Sequence, residues 1–173
     1  MRDFFNPEDE DYNPVEHALF DKGMEIEEVV HNIIQLIPED GHGILKEVAA
    51  DMMSEAMMLS VKVVGAKGDV FYSHKMQNAA IIRKAANDLI LHEHSFREWG
   101  FEENDYFLLV RKLVEEYRLL FVQWVEGFDQ WNYLIDRWGL FNPPGVTAHD
   151  HDPDDDIPFD PDEFYDFDND DDD

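Results

Sequence analysis

Residues 102–138, EENDYFLLVRKLVEEYRLLFVQWVEGFDQWNYLIDRW, form the longest stretch of this chain with one continuous pattern. Its apolar residues recur at steps of three and four, which places them on one side of a helix. They are Val110, Leu113, Val114, Tyr117, Leu120, Phe121, Trp124, Phe128, Trp131 and Ile135. Three tryptophans, at 124, 131 and 138, lie seven residues apart. So large a stripe must be buried against partner helices, so the stretch predicts one long helix within a bundle.

Three earlier segments carry the same periodicity and predict helices at about 24–37, 43–65 and 70–99. Pro38 ends the first of them, and the glycines of GAKGD separate the second from the third. Because the connections are short, neighbouring helices should run antiparallel. The predicted fold class is therefore all-α, an up-down-up-down four-helix bundle with an irregular acidic N-terminal arm and a disordered acidic C-terminal tail.

The composition divides the chain into three parts. Residues 1–22 contain two Asn-Pro pairs and many acids and predict an irregular arm. Residues 23–146 predict the helical bundle. Residues 147–173 are rich in Asp, Pro and aromatic residues without any periodicity, and they predict a tail that is disordered in isolation.

The net charge of −28 is concentrated at the two ends. Residues 150–173 hold 14 acids and no Lys or Arg, and residues 1–28 hold ten acids and two bases. The remaining residues, 29–149, hold 17 acids and 11 bases and are only mildly acidic. This distribution disfavours direct binding of nucleic acid through a broad basic face. Acidic ends of this kind repel membranes and attract basic protein surfaces.

The chain contains no cysteine, which excludes disulfides and thiolate metal sites. No apolar run approaches the ~18 residues that a membrane span needs. The N-terminal sequence MRDFFNPEDEDYNP is acidic and lacks the apolar core of a secretory signal. These features predict a cytoplasmic protein.

A polar cluster interrupts the apolar side of the third predicted helix. Asp88 and His92 are four residues apart and can touch, and His74 and Asn78 lie on the same side. A carboxylate that fixes an imidazole tautomer supports either a ligand or a base. The alternative is a set of hydrogen-bonded core residues that fix helix register. Both interpretations stay open, and the first would make the protein a small-molecule or metal-binding enzyme.

A carboxylate-bridged di-metal centre is disfavoured. Such a centre in a four-helix bundle needs two Glu-x-x-His motifs and two further inward Glu. The chain has one such motif, at Glu28 and His31, and it falls towards the outer side of its helix. We therefore predict no metal ligands, no cofactor and no catalytic residues.

The tail contains a short segment with a recognisable pattern. Residues 154–159 read Asp-Asp-Asp-Ile-Pro-Phe: Asp154, Asp155, Asp156, Ile157, Pro158 and Phe159. This segment resembles the acidic tip that ends bacterial single-stranded-DNA-binding proteins. In that family the Phe enters a hydrophobic pocket on replication and repair proteins, and basic residues around the pocket hold the acids. The family's Phe is the last residue, whereas here Phe159 is followed by Asp160.

The same chemistry follows from the residues themselves. Ile157, Phe159, Phe164, Tyr165 and Phe167 are apolar anchors spaced through a field of acids. Such a segment can be steered onto a basic surface and can then bury its aromatic rings in pockets there. A tail that only keeps the protein in solution is the alternative.

The first functional hypothesis is a non-enzymatic protein-interaction module whose acidic aromatic tail docks on a basic partner protein. The resemblance implies that this partner is a DNA replication or repair protein. A second hypothesis is an acidic mimic or inhibitor that occupies a nucleic-acid-binding groove. The body resembles small bacterial four-helix-bundle proteins of the intervening-sequence type, which implies the architecture alone. A spare apolar stripe on so few helices would suit a homodimer.

Overall fold

The structure, a computed structural model, describes residues 4–8, 12–38, 43–101 and 104–152. It contains four helices, and the all-α prediction is confirmed; no strand occurs among the described residues. They are α1 (Pro14–Gln35), α2 (Gly43–Lys67), α3 (Tyr72–Glu98) and α4 (Asn104–Glu126). In the part of the chain that the structure describes, no helix has the length and apolar character needed to cross a membrane.

The four helices form a ring in which each packs against two neighbours and α4 closes on α1. Trp124, near the end of α4, donates its indole N–H to Glu16 at the start of α1, with 3.0 Å between Nε1 and Oε1. Arg111, near the start of α4, pairs with Glu93 near the end of α3 at 2.6 Å. Both contacts require antiparallel neighbours. The helices therefore run alternately up and down, as short connections dictate.

Helix α1 begins at Pro14, ten residues before the predicted start, so the predicted arm at 1–22 is too long and the boundary at 23 is wrong. The described residues before the helix, 4–8 and 12–13, are irregular as predicted. The second Asn-Pro pair begins the helix. Asn13 Oδ1 accepts from the backbone N–H of Val15 and Glu16 at 3.0 and 3.3 Å. Pro14 occupies the first helical position, where its missing N–H costs nothing. The added turns bury Leu19 completely.

The core draws apolar side chains from all four helices and from the arm. Tyr117 crosses the ring, and its hydroxyl donates to the backbone oxygen of Leu59 on α2 at 2.9 Å. Burial raises the pKa of Tyr117, which keeps this donor protonated. The largest fully buried side chains are Tyr117, Phe5, Phe96, Leu19, Ile26, Ile33, Met52, Leu59, Ile82, Leu89, Val30 and Val63.

Helix α4 ends at Glu126, so the prediction of one helix through residue 138 is wrong at its C-terminal third. Gly127 follows directly, and residues 127–152 form an irregular segment held by turns. The predicted burial of Trp131 and the continuation of the helix to Trp138 both fail. Their side chains are 91% and 90% exposed. The helix ends here despite the apolar periodicity because Gly127 is a poor helix former. The side chains of Asp129 and Asp136 then bond the nearby backbone in place of helical partners.

Candidate functional site

The irregular segment 127–152 covers the end of the bundle where α3 begins. The backbone N–H of Tyr72 donates to the oxygen of Asn132 at 2.8 Å, which ties the segment to the first turn of α3. A cleft lies between that turn and residues 134–141, with Ser73 and Gln77 on its helical side. The segment is therefore part of the folded body and is not a free linker.

Asp136 organises the middle of this segment. Its carboxylate accepts hydrogen bonds from three backbone N–H groups, those of Trp138 at 2.9 Å and of Leu140 and Phe141 at 2.8 Å. The side chain of Asn142 makes two further bonds to the backbone of Asp136. Its Oδ1 accepts from the backbone N–H of Asp136, and its Nδ2 donates to the backbone oxygen of Asp136. These backbone donors, first that of Phe141, lower the pKa of Asp136, because they stabilise the ionised form. One ionised carboxylate thus fixes a six-residue loop.

Two turns of the same kind precede the two exposed tryptophans. Asp129 Oδ1 accepts from the N–H of Trp131, and Asp136 Oδ1 accepts from the N–H of Trp138, each at 2.9 Å. An Asp that bonds the backbone two residues on replaces a helical bond by a turn. Leu140, 73% exposed, adds a third apolar side chain. The sequence does contain a signal for this surface, the pattern Asp-x-Trp occurring twice at a spacing of seven.

The loop around Asp136 should open in acid. A carboxyl with a folded pKa below its usual 3.8 stabilises the fold above that value, and the contribution is lost as pH falls through the folded pKa. We expect the amide signals of Trp138, Leu140 and Phe141 to move towards random-coil positions in an NMR titration from pH 5 to pH 2. At pH 7, Asp136→Asn should show these three amide signals where the wild type shows them at pH 2, because the charge that strengthens the three hydrogen bonds is gone.

Asp129→Asn serves as the control, because Asp129 holds one backbone donor, that of Trp131. It should leave the Asp136 loop unchanged at pH 7. Amide signals that stay in place in Asp136→Asn would contradict the role given to this carboxylate.

In the structure, Asp88 and His92 of α3 have different partners from the ones that their spacing predicts. His92 Nε2 lies 2.7 Å from Glu55 Oε2 on α2, and Asp88 pairs with Lys84 one turn earlier. Asp88 and His92, which the spacing allows to touch, thus have partners other than each other in the structure. Burial raises the pKa of Glu55, while the hydrogen bond from His92 opposes that shift.

His74 and Asn78 lie at the other end of α3. His74 is exposed, and its Nδ1 lies 3.0 Å from Asp69 Oδ1. The Asn78 amide donates to the backbone oxygen of His74 at 3.2 Å. Eighteen residues of helix separate His74 from His92, about 27 Å at ~1.5 Å per residue. The four residues therefore do not converge on one site, and the described residues contain no group of three or more His, Asp or Glu placed to hold a metal ion.

The predicted docking residues of the tail lie outside the described residues. They are Asp154, Asp155, Asp156, Ile157, Pro158, Phe159, Phe164, Tyr165 and Phe167. The first six residues of the predicted tail are ordered, however, so its start at 147 is too early. Asp150 accepts from the N–H and hydroxyl of Thr147 at 2.8 and 2.9 Å. Arg137 donates to the backbone oxygens of Ala148 and Asp150. The described part of the chain therefore ends at Asp152, within the predicted tail.

A second surface feature is a groove between α3 and α4, which we call the α3–α4 groove. These two helices share the smallest contact in the ring, and a cavity of about 310 Å³ opens between them. Three arginines, Arg83, Arg111 and Arg118, stand among its lining residues. Its apolar lining consists of Ile82, Ala86, Ile90, Val114, Tyr117, Phe121 and Val122.

Comparison of the chain with protein-family models, with curated proteins and with solved structures finds no match.

Proposed function

We propose that this protein is a non-enzymatic interaction module that presents its acidic aromatic tail to a basic partner protein. The observation that carries the proposal is the ordered segment 127–152. It holds Trp131 and Trp138 in solvent at one end of the bundle, and it delivers the chain at Asp152 directly into the acidic tail.

The exposed tryptophans suit a basic partner. Large aromatic side chains held in solvent are typical of interaction surfaces, and tryptophan is among the residues that dominate binding energy. The indole face also attracts the cationic heads of Lys and Arg. A partner rich in those residues would therefore complement both the tryptophans and the 14 acids of residues 150–173.

The tail supplies steering and anchoring in separate residues. Asp154, Asp155 and Asp156 raise the rate of encounter with a positive surface. Ile157 and Phe159 then enter apolar pockets, as the resemblance to the single-stranded-DNA-binding tip implies. On this basis the proposed partner is a replication or repair protein, and the proposed compartment is the cytoplasm. No residue is assigned a catalytic role.

The test is a quantitative capture experiment with the full-length protein and the double variant Ile157→Ala, Phe159→Ala. We expect basic proteins retained by the wild type to be lost by the variant, because the steering charge remains but the anchors are gone. Mass spectrometry of the retained proteins, repeated at 50 and 300 mM salt, measures both the loss and its ionic character.

The matched control scrambles the order of residues 154–159 within the full-length chain, which keeps charge and composition. If capture depends on charge alone, the scrambled protein will retain the same partners as the wild type. Equal capture by the wild type, the double variant and the scrambled protein would remove Ile157 and Phe159 from the mechanism and contradict the proposal.

A further inference from the structure

We propose that the α3–α4 groove holds the chain's own acidic tail, residues 153–173, while no partner is bound. The inference rests on the proposed function, since it names the state of the tail before docking. The groove would then shield the aromatic anchors from water and set the effective affinity for a partner, because the partner must displace a contact within the same chain.

The shape of the groove favours an occupant that inserts a few side chains. Its apolar lining comes from both helices, and Ile90 and Phe121 remain half-buried for want of a covering element. The cavity of about 310 Å³ lies at the lower end of the range of about 300–1,000 Å³ that ligand pockets show. Such a space takes a few side chains. The helix of a second copy would need a longer continuous channel.

The charge of the groove suits an acidic occupant. Four of the six arginines in the chain are on α3 and α4, and three of them line the groove. Arg83 makes no ion pair with another described residue, and its side chain is exposed. Arg111 and Arg118 pair with Glu93 and Glu115. Each guanidinium carries five N–H donors, which leaves donors on both for further carboxylates.

The surface of α1 would repel the tail. It carries Asp21, Glu25, Glu27 and Glu28 against one base, Lys22, which already pairs with Glu25 and Glu116. The lining of the α3–α4 groove, by contrast, has three arginines against one acid, Glu115, and attracts an acidic segment. A second copy docked by the same groove would bring arginines towards arginines, which favours the tail as the occupant.

The tail is long enough to reach the groove. The described chain ends at Asp152, two residues after Asp150, whose backbone oxygen accepts from Arg137 in the cleft beside the first turn of α3. Ile82 lies ten residues after Tyr72, the first residue of that helix, which is about 15 Å at ~1.5 Å per residue. An extended chain spans about 3.3–3.6 Å per residue, so Phe159 can reach about 23–25 Å from Asp152. Phe164 and Tyr165 reach further still. The anchors of the tail can therefore enter the groove without any change in the body.

The chain has no cysteine, so one introduced cysteine can be labelled uniquely in the full-length protein. Pro161→Cys places a nitroxide label two residues after Phe159 without changing the charge. We expect the label to broaden the NMR methyl signals of Ala86, Ile90 and Val122 in the groove. The signals of Ile34, in the groove between α1 and α2, should keep their intensity and serve as the internal control.

A charge reversal on the rim provides the second variant. Arg83→Glu should restore the lost methyl signals, because it replaces an attractive charge by a repulsive one at an exposed position. Lys62→Glu makes the same change of charge on α2, outside the residues that line the groove, and should leave the broadening as it is. Equal loss of broadening in both variants would overturn the assignment of the groove.

A mixed sample identifies the occupant. In this sample, one population carries the spin label and no isotope, and the other carries the isotope and no spin label. Broadening of the isotope-labelled signals would show that the tail of one copy docks on another copy, which would overturn the inference. Absence of broadening in the singly labelled protein overturns it as well. Capture of a basic partner is measured separately from contact between the tail and the groove. If the protein captures the partner but its tail does not contact the groove, only this inference is contradicted. If the tail contacts the groove but no partner is captured, only the proposed function is contradicted.

Discussion

Phe96→Ala is expected to lower the free energy of unfolding by about 3–5 kcal/mol, the largest loss of any single substitution considered. Phe96 is fully buried and forms a cluster with Phe101 and Phe107, whose ring centroids lie 5.5 and 5.3 Å from its own. These three rings pack where α3 passes into α4. Removing the central ring leaves a cavity that two rigid neighbours cannot fill. Urea unfolding followed by circular dichroism measures the loss.

The control is Leu91→Ala on the same helix. Leu91 is 66% exposed, so its truncation should change the free energy of unfolding by no more than about 0.5 kcal/mol. Similar losses in the two variants would contradict the packing described for this end of the bundle.

Glu16→Ala is expected to lower the free energy of unfolding by about 1–3 kcal/mol. The buried carboxyl of Glu16 accepts the indole N–H of Trp124 at 3.0 Å, and this bond joins the start of α1 to the end of α4. The Ala variant leaves the indole donor buried without an acceptor. Glu16→Gln keeps an acceptor oxygen in place and should recover most of the loss. Thermal and urea unfolding give both values.

A double-mutant cycle with Trp124→Phe isolates this bond from the rest of the packing. Once the donor is gone, Glu16→Ala should cost less than it does in the wild type. Strictly additive losses would contradict a direct bond between the two side chains. Glu27→Ala, on the same helix without a hydrogen bond to α4, controls for the loss of an acidic side chain.

Periodicity carried most of the fold prediction. The helices at about 43–65 and 70–99 match α2 and α3 to within two residues, because apolar stripes and glycines mark their ends. The start of α1 was missed because the two Asn-Pro pairs and the surrounding acids were interpreted as an irregular arm. Asn13 and Pro14 are also an N-cap and a first helical residue, and the local sequence does not distinguish the two uses.

The end of α4 shows where periodicity fails. Trp131 continues the apolar spacing of seven, yet Gly127 and the side chain of Asp129 give the backbone an alternative set of hydrogen bonds. Whether the backbone keeps its helical hydrogen bonds or forms the turn depends on whether a neighbouring helix is long enough to cover the apolar stripe. Here α1 and α3 supply no surface beyond their own ends, so the helix stops and the tryptophans face solvent.

The polar residues of α3 show a different limit. Spacing along one helix predicted that Asp88 could contact His92, but the actual partner of His92 is Glu55, 37 positions earlier on α2. A pattern within one helix gives candidates for contact and cannot rank them against residues from a neighbouring helix. The α3–α4 groove could not be predicted either, because it exists only between two helices.

The antiparallel register brings the two ends of the described chain, Phe4 and Asp152, to one pole of the bundle. Phe5 packs near the start of α1, and Lys67 at the end of α2 donates to the backbone oxygen of Phe4. Asp150 accepts from Arg137, which lines the cleft at the start of α3. Trp131 and Trp138 are exposed at the same pole. A binding surface that approaches this pole will therefore meet both tryptophans together with the two points at which the described chain ends, Phe4 and Asp152.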